Sequence, residues 1–195
     1  KLDYQNFRKI LSNYINDSKP IVIIGYTYMI YKFIIDSDDN LFPNLPKNSK
    51  IIHFGGWKKM YDKKITKKVF NKILSQSFNL RINDIIDIYG FTEQLGTVYP
   101  SIGNSGNKVP IYTNVIVRDP DTLKPVKDGE VGLLQFLSPI PNSYPGISLL
   151  NDDMGRIIKR NISNKIYELE FEVTGRPDQA EPRGCGDTLP DNYYI

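Results

Sequence analysis

The sequence predicts an α/β fold in which a parallel sheet covered by helices is followed by a smaller antiparallel β subdomain. Three observations carry this. Short continuous apolar runs recur in the first half and end at glycine, as in Ile21-Val22-Ile23-Ile24-Gly25. Segments of helical period lie between those runs, and such alternation implies parallel strands covered by crossover helices. Beyond about Pro100 the pattern changes to turn-separated stretches that alternate or carry β-branched residues, the mark of antiparallel strands.

Taken in order, residues 2–15 place Phe7, Ile10, Leu11, Tyr14 and Ile15 at helical spacing, an amphipathic helix that ends before Pro20. Residues 21–25 are short enough for a buried strand, and Tyr28, Ile30, Tyr31, Phe33 and Ile34 continue as a second helix. Residues 50–56 form the next strand, 65–78 a third helix and 84–90 a further strand. In the second half, strands are expected over 111–117, 132–137, 155–159 and 165–174, with turns at Asp119-Pro120-Asp121 and Lys127-Asp128-Gly129. The resulting division is an α/β part over 1–100, an antiparallel β subdomain over 101–175, and a hinge-like segment and tail over 176–195. The first helical pattern opens without a start Met or an evident cap, so the reading expects residues upstream of Lys1.

Composition sets loose bounds. With 40% hydrophobic and 24% charged residues, 195 residues suffice for a sizeable core. The net charge of +3 is small, and lysines are scattered rather than gathered into one stretch, which does not suggest nucleic-acid binding. No apolar run approaches the roughly 18 residues of a membrane span, and one cysteine forms no internal disulfide; the default expectation is a cytoplasmic protein.

Ligands of open parallel sheets bind beyond the carboxyl ends of the strands. There the sequence places Gly55-Gly56-Trp57-Lys58 and Tyr89-Gly90-Phe91-Thr92-Glu93. Glycines permit close backbone approach, and Thr92 and Glu93 offer a hydroxyl and a carboxylate suited to phosphate and a divalent cation. His53, the only histidine, invites a general-base role, although a packed strand-end scaffold residue is the stronger reading. Trp57, Tyr89 and Phe91 are candidates for a pocket wall or for core. Cys185, the only cysteine, lies between two glycines near the C-terminus, with Arg176 and Arg183 nearby to favour thiolate. An accessible nucleophile and an inert packed thiol both fit that placement.

In this order the motifs resemble the adenylate-forming superfamily and, within it, the acyl-protein synthetase (LuxE) family. Tyr89-Gly90-Phe91-Thr92-Glu93 is similar to the superfamily's Tyr-Gly-x-Thr-Glu motif. The resemblance implies Tyr89 near the adenine, Gly90 among the nucleotide-binding residues, Thr92 at the α-phosphate and Glu93 on Mg²⁺. Gly55-Gly56-Trp57-Lys58 resembles the Gly-Gly-Trp-Lys element, whose glycines pass close to the adenine. Leu150-Asn151-Asp152-Asp153-Met154-Gly155-Arg156 resembles the Thr-Gly-Asp-Leu-Gly motif, which implies Asp153 on the ribose hydroxyls. Gly175-Arg176-Pro177-Asp178 resembles the Gly-Arg-x-Asp hinge, with Arg176 near the ribose and Asp178 at the pivot.

The superfamily's Ser/Thr/Gly-rich phosphate loop has no counterpart in these residues, so the chain looks like the C-terminal half of a larger synthetase, expected to be inactive alone. Its end, ten residues after Cys185, resembles the acyl-protein synthetases, where a cysteine after Arg-Gly accepts the acyl group. The resemblance implies ATP and Mg²⁺ as cofactors, a fatty acid or other carboxylic acid as substrate, and an acyl-accepting reductase or carrier protein as partner. Three readings follow: acyl-AMP formation with transfer to Cys185, an acyl- or aryl-CoA ligase of the phenylacetate-CoA ligase type in which Cys185 is incidental, and a non-catalytic fragment of the same fold.

Overall fold

The computed structural model describes residues 3–35, 42–57, 64–141, 143–163 and 166–176. These pack as two units. The described residues up to Asp87, with 102–104, form the first, and those of 88–101 and 105–176 form the second.

The first unit opens with helix α1 (Tyr4–Asn16). Its start is capped: the Asp3 carboxylate accepts the Asn6 N–H at 2.9 Å, which corrects the reading that no cap was present. Phe7, Leu11 and Ile15 turn into the core, while Ile10 and Tyr14 stay exposed. Strand β1 (Val22–Tyr26) leads into α2 (Thr27–Ile35), and β2 (Lys50–Phe54) pairs with β1 in parallel, Ile24 opposite Ile52. Helix α3 (Lys67–Phe78) starts where Thr66 Oγ1 accepts the Val69 N–H, and it stops at Asn79 in the left-handed conformation, φ 51°. Strands β3 (Ile85–Tyr89) and β4 (Tyr99–Ile102) follow in a sheet of order β1-β2-β3-β4, and the chain passes from the first unit to the second within β3.

Alternation along the strands sends Ile51, His53 and Ile85 to the side packed with Phe70, Leu74 and Phe78, all buried. On the opposite side Val22, Ile24 and Tyr26 are 53%, 64% and 38% exposed. The apolar runs predicted strands buried on both faces. In the described residues β1 is buried on one.

At the start of β3, Asp84 is held by Arg81 (Nε 2.7 Å, Nη2 2.9 Å) and by Lys50 Nζ at 3.1 Å. The Arg81 hydrogen bonds hold its carboxyl at about 2, well below the ~3.9 of an unfolded chain. A depressed folded-state value stabilises the fold above the unfolded one and is lost as pH falls through the folded one. Acid melts should therefore show wild type losing stability between pH ~4 and ~2, where Asp84→Asn, about 1 kcal/mol less stable at neutral pH, responds less steeply.

The second unit is a five-stranded sheet of β5 (Asn107–Lys108), β6 (Asn114–Arg118), β7 (Gly132–Leu137), β8 (Ser148–Ile162) and β9 (Tyr167–Gly175). Their order is β5-β9-β8-β7-β6, with every neighbour antiparallel. Val115, Val117, Leu134, Phe136, Leu169 and Phe171 alternate inward to form its core with Tyr99. Three strands differ from expectation, of which the short β5 was not foreseen. Residues 111–113 form a turn closed by Thr113 N–H to Pro110 O at 2.9 Å, and the expected strand 155–159 is the middle of the 15-residue β8. Asp152 and Asp153 have poor strand propensity, and that hid the first half of β8. Gly155 sits where the β8–β9 register shifts, and a Cβ there would stand 2.3 Å from Glu172 O, so only glycine fits.

Candidate nucleotide site

The site is built where β3 ends. The Tyr89 ring lies against Phe136 (centroids 5.9 Å apart, 28° between planes) and meets Phe171 edge-on at 5.6 Å, so packing fixes its direction. Its hydroxyl donates to Asp153 Oδ2 at 2.7 Å and accepts from Asn151 Nδ2 at 3.1 Å. The other carboxylate oxygen of Asp153 accepts from Arg176 Nε, also at 2.7 Å. Three residues singled out in separate motifs thus converge, Tyr89 and Asp153 across 64 residues of chain and Asp153 and Arg176 across 23.

Burial, reinforced by Asp153, raises the Tyr89 pKa, so the phenol stays protonated and remains a donor. The hydrogen bond to Asp153 likewise raises that of Arg176. Asp153 is a carboxylate oriented from two sides, and its side chain keeps 14% of its surface open. Each of its oxygens retains a lone pair, which suits it to a pair of neighbouring hydroxyls.

After Tyr89 the chain turns through Gly90, Phe91, Thr92 and Glu93. Gln94 N–H closes the turn on Phe91 O at 3.2 Å, the Phe91 ring packs 4.8 Å from Phe136, and Gln94 is buried, accepting the Tyr99 hydroxyl at 2.6 Å. With Phe91 and Gln94 inward, Thr92 and Glu93 are exposed. At Gly90 an added Cβ would meet Val98 at an ordinary 3.6 Å, so close approach there is not forced by the protein itself.

Gly55 and Gly56 follow β2 in the first unit. Gly55 takes φ +76°, a conformation other residues rarely adopt, and a Cβ on Gly56 would meet nothing within 4 Å. Trp57 packs on Tyr31 and Phe70 and belongs to the core. His53 is buried beneath the same strand end. Its Nδ1 lies 3.0 Å from Thr27 Oγ1 and 3.5 Å from Asp87, while Nε2 has no partner among the described residues. The Thr27 hydroxyl donates to Phe54 O, so it accepts from Nδ1–H. Burial lowers the His53 pKa against the opposite pull of Asp87. This is the scaffold role that the sequence favoured. Lys58, Asp178 and Cys185 lie outside the described residues.

Sequence reasoning did not single out Asn151, although it stands inside a quoted motif, nor the buried pair Gln94 and Tyr99. It also passed over Tyr144, whose hydroxyl donates to Glu93 O at 2.9 Å and accepts the Leu95 N–H at 3.1 Å. No spacing signal marks that tyrosine.

The family described as Acyl-protein synthetase, LuxE, matches residues 1–194. A long-chain-fatty-acid–luciferin-component ligase of Aliivibrio fischeri is 28% identical over 189 residues, covering 95% of this chain and 49% of the relative. One from Vibrio harveyi is 29% identical over 195 residues, covering 99% and 50%. The chain thus spans about half the length of these curated relatives. ATP-bound MatB from Rhodopseudomonas palustris superposes with a TM-score of 0.55 at 12% identity, over 90% of this chain and 33% of that one. A benzoate CoA ligase from Burkholderia xenovorans LB400 gives 0.54 at 17%, over 87% and 34%. These likenesses show the fold, that of adenylate-forming enzymes, which is the fold class read from the sequence.

Proposed function

Since the chain belongs to the acyl-protein synthetase (LuxE) family, we propose that it is part of a ligase that activates a long-chain fatty acid with ATP and passes the acyl group to a protein cysteine. The observation that carries this reading is the convergence of Tyr89 and Arg176, from two separate motifs, on the carboxylate of Asp153, from a third. Asp153 binds the ribose hydroxyls, with Tyr89 and Arg176 fixing its direction, and Thr92 reaches the α-phosphate from the exposed turn. Gly90 leaves backbone accessible for the nucleotide.

Among the described residues, no group of three His, Cys, Asp or Glu is placed to hold a metal. Mg²⁺ needs no such cage. It commonly takes one or two carboxylates with phosphate and water oxygens, and the exposed Glu93 is a fitting hard-oxygen donor. When bound, the ion supplies charge neutralisation to the leaving pyrophosphate.

Two steps follow. A fatty carboxylate oxygen attacks the α-phosphorus, and pyrophosphate leaves. The Cys185 thiolate then attacks the acyl carbonyl, the bond to AMP breaks, and the acyl group remains as a thioester. Asp178 serves as the pivot of the segment that carries Cys185. An acyl-accepting reductase or carrier protein is the onward acceptor. Among the described residues no helix is long and apolar enough to cross a membrane. We assign the work to the cytoplasm, where a lone cysteine stays reduced.

The test uses the full open reading frame that encodes this chain, incubated with Mg²⁺, ATP and a long-chain fatty acid. Intact-mass spectrometry should show one acyl adduct that hydroxylamine removes. Free acyl-CoA in the presence of coenzyme A, with no adduct on the protein, would transfer the assignment to a coenzyme A ligase.

A further inference from the structure

The loop between β7 and β8 reaches back to the turn that carries Glu93, and it touches that turn at two points. At the first, the Tyr144 hydroxyl spans main chain on both sides of Gln94, donating to Glu93 O at 2.9 Å and accepting Leu95 N–H at 3.1 Å. At the second, a Cβ added to Gly96 would stand 3.2 Å from Ile140 Cγ2, so the loops are in close contact there. From the inner side, buried Gln94 is held by the Tyr99 hydroxyl at 2.6 Å. The turn is thus pinned from within and from without, and Thr92 and Glu93 are its exposed polar side chains.

The tyrosine is itself held in place. Gly146 N–H bonds Tyr144 O at 2.7 Å across Pro145, a tight turn. A Cβ on Gly146 would lie 2.2 Å from the Tyr144 ring carbon Cε2, so the ring occupies space that only glycine leaves free. Ser143-Tyr144-Pro145-Gly146 is therefore a small device for presenting one phenol to one peptide turn.

We propose that Tyr144 is a positioning residue for Glu93: its hydroxyl fixes the peptide on which the metal-binding carboxylate stands, and so sets the Mg²⁺ requirement of nucleotide binding. This rests on the nucleotide reading above, and it adds a residue to which that reading gives no part.

Two variants reach the contact by different routes. Tyr144→Phe keeps the ring and removes both hydrogen bonds, whereas Gly146→Ala keeps the hydroxyl and displaces the ring. Amide hydrogen exchange and Mg²⁺-dependent ATP binding are measured on each, with thermal melts confirming the fold. Both variants should exchange Leu95 N–H about tenfold faster than wild type while Val115, in strand β6, is unchanged. Both should need roughly tenfold more Mg²⁺ for half-maximal ATP binding, with metal-free ATP affinity unaltered. In a Glu93→Gln background, Tyr144→Phe should add no further effect, because the carboxylate it positions is gone.

An unchanged Leu95 exchange rate, or a wild-type Mg²⁺ response retained in both variants, overturns the proposal while the nucleotide site stands. Equal losses with and without the Glu93 carboxylate overturn it as well, by showing a merely structural effect. Wild-type protein whose ATP binding ignores Mg²⁺ removes the assignment of Glu93, and the role of Tyr144 with it.

Discussion

Cys185→Ser is expected to leave ATP-dependent acyl-AMP formation nearly intact and to abolish the hydroxylamine-labile acyl adduct. Adenylation needs the fatty carboxylate, Mg²⁺ and contacts to phosphate and ribose, none of which involves a thiol. On the proposed reading only the second step uses Cys185, as the nucleophile. A serine hydroxyl stays protonated near neutral pH and lacks the nucleophilicity of sulfur, so acyl transfer should fall below detection. Acyl-AMP then accumulates and hydrolyses slowly, which appears as pyrophosphate release without protein labelling. The measurement pairs a pyrophosphate assay with intact-mass spectrometry. Wild-type labelling in the serine variant would mean that another group accepts the acyl chain.

Asp153→Ala is expected to weaken ATP binding by about ten- to a hundredfold, the equivalent of the roughly 1.5–3 kcal/mol carried by hydrogen bonds to a charged group. On the proposed reading that loss comes from the ribose hydroxyls, whose hydrogen bonds Asp153 accepts. Removing the carboxylate takes away the acceptor for the Tyr89 hydroxyl and for Arg176 Nε, both at 2.7 Å. Dideoxy-ATP, which lacks both ribose hydroxyls, separates the contributions. Wild type should bind it weakly, and the alanine variant should bind it no worse. If the substitution costs dideoxy-ATP as much as ATP, Asp153 acts through the fold around Tyr89 rather than on the sugar.

The first unit was largely legible because its signals are local. Apolar runs bounded by glycine gave β1, β2 and β3, and the helical periods gave α1, α2 and α3 to within about two residues at each end. The second unit was less so, since long-range pairing decides it. Residues 111–113 read as strand because Ile111 and Tyr112 suit one, yet Pro110 and Thr113 close a turn there. β8 begins seven residues before the expected 155 because its pairing with β7 overrides the poor propensity of Asn151, Asp152 and Asp153.

Within the candidate site, motif order pointed to Tyr89, Asp153 and Arg176 without saying that they touch. Tyr144 could not be found this way. Its part is a pair of hydrogen bonds to main chain about fifty residues away, and main-chain partners leave no trace in the identity of the residues they join. Nor could the sequence foresee that Trp57 is core while Tyr89 is both core and site, because an aromatic at a strand end is compatible with either.

Tyr89 has a consequence for how the molecule can be assayed. One ring is wedged among Phe91, Tyr99, Phe136 and Phe171, and its oxygen holds Asp153. A ligand that grips Asp153 is thereby tied to the most densely aromatic part of the second unit, and whatever it contributes to that carboxylate must be surrendered before the cluster can come apart. Heat then becomes a detector of occupancy: at a hundredfold excess over its dissociation constant, a ligand that binds the folded form alone adds about 2.7 kcal/mol against unfolding. A rise in melting temperature with ATP, smaller with dideoxy-ATP, would register the sugar contact without a single turnover.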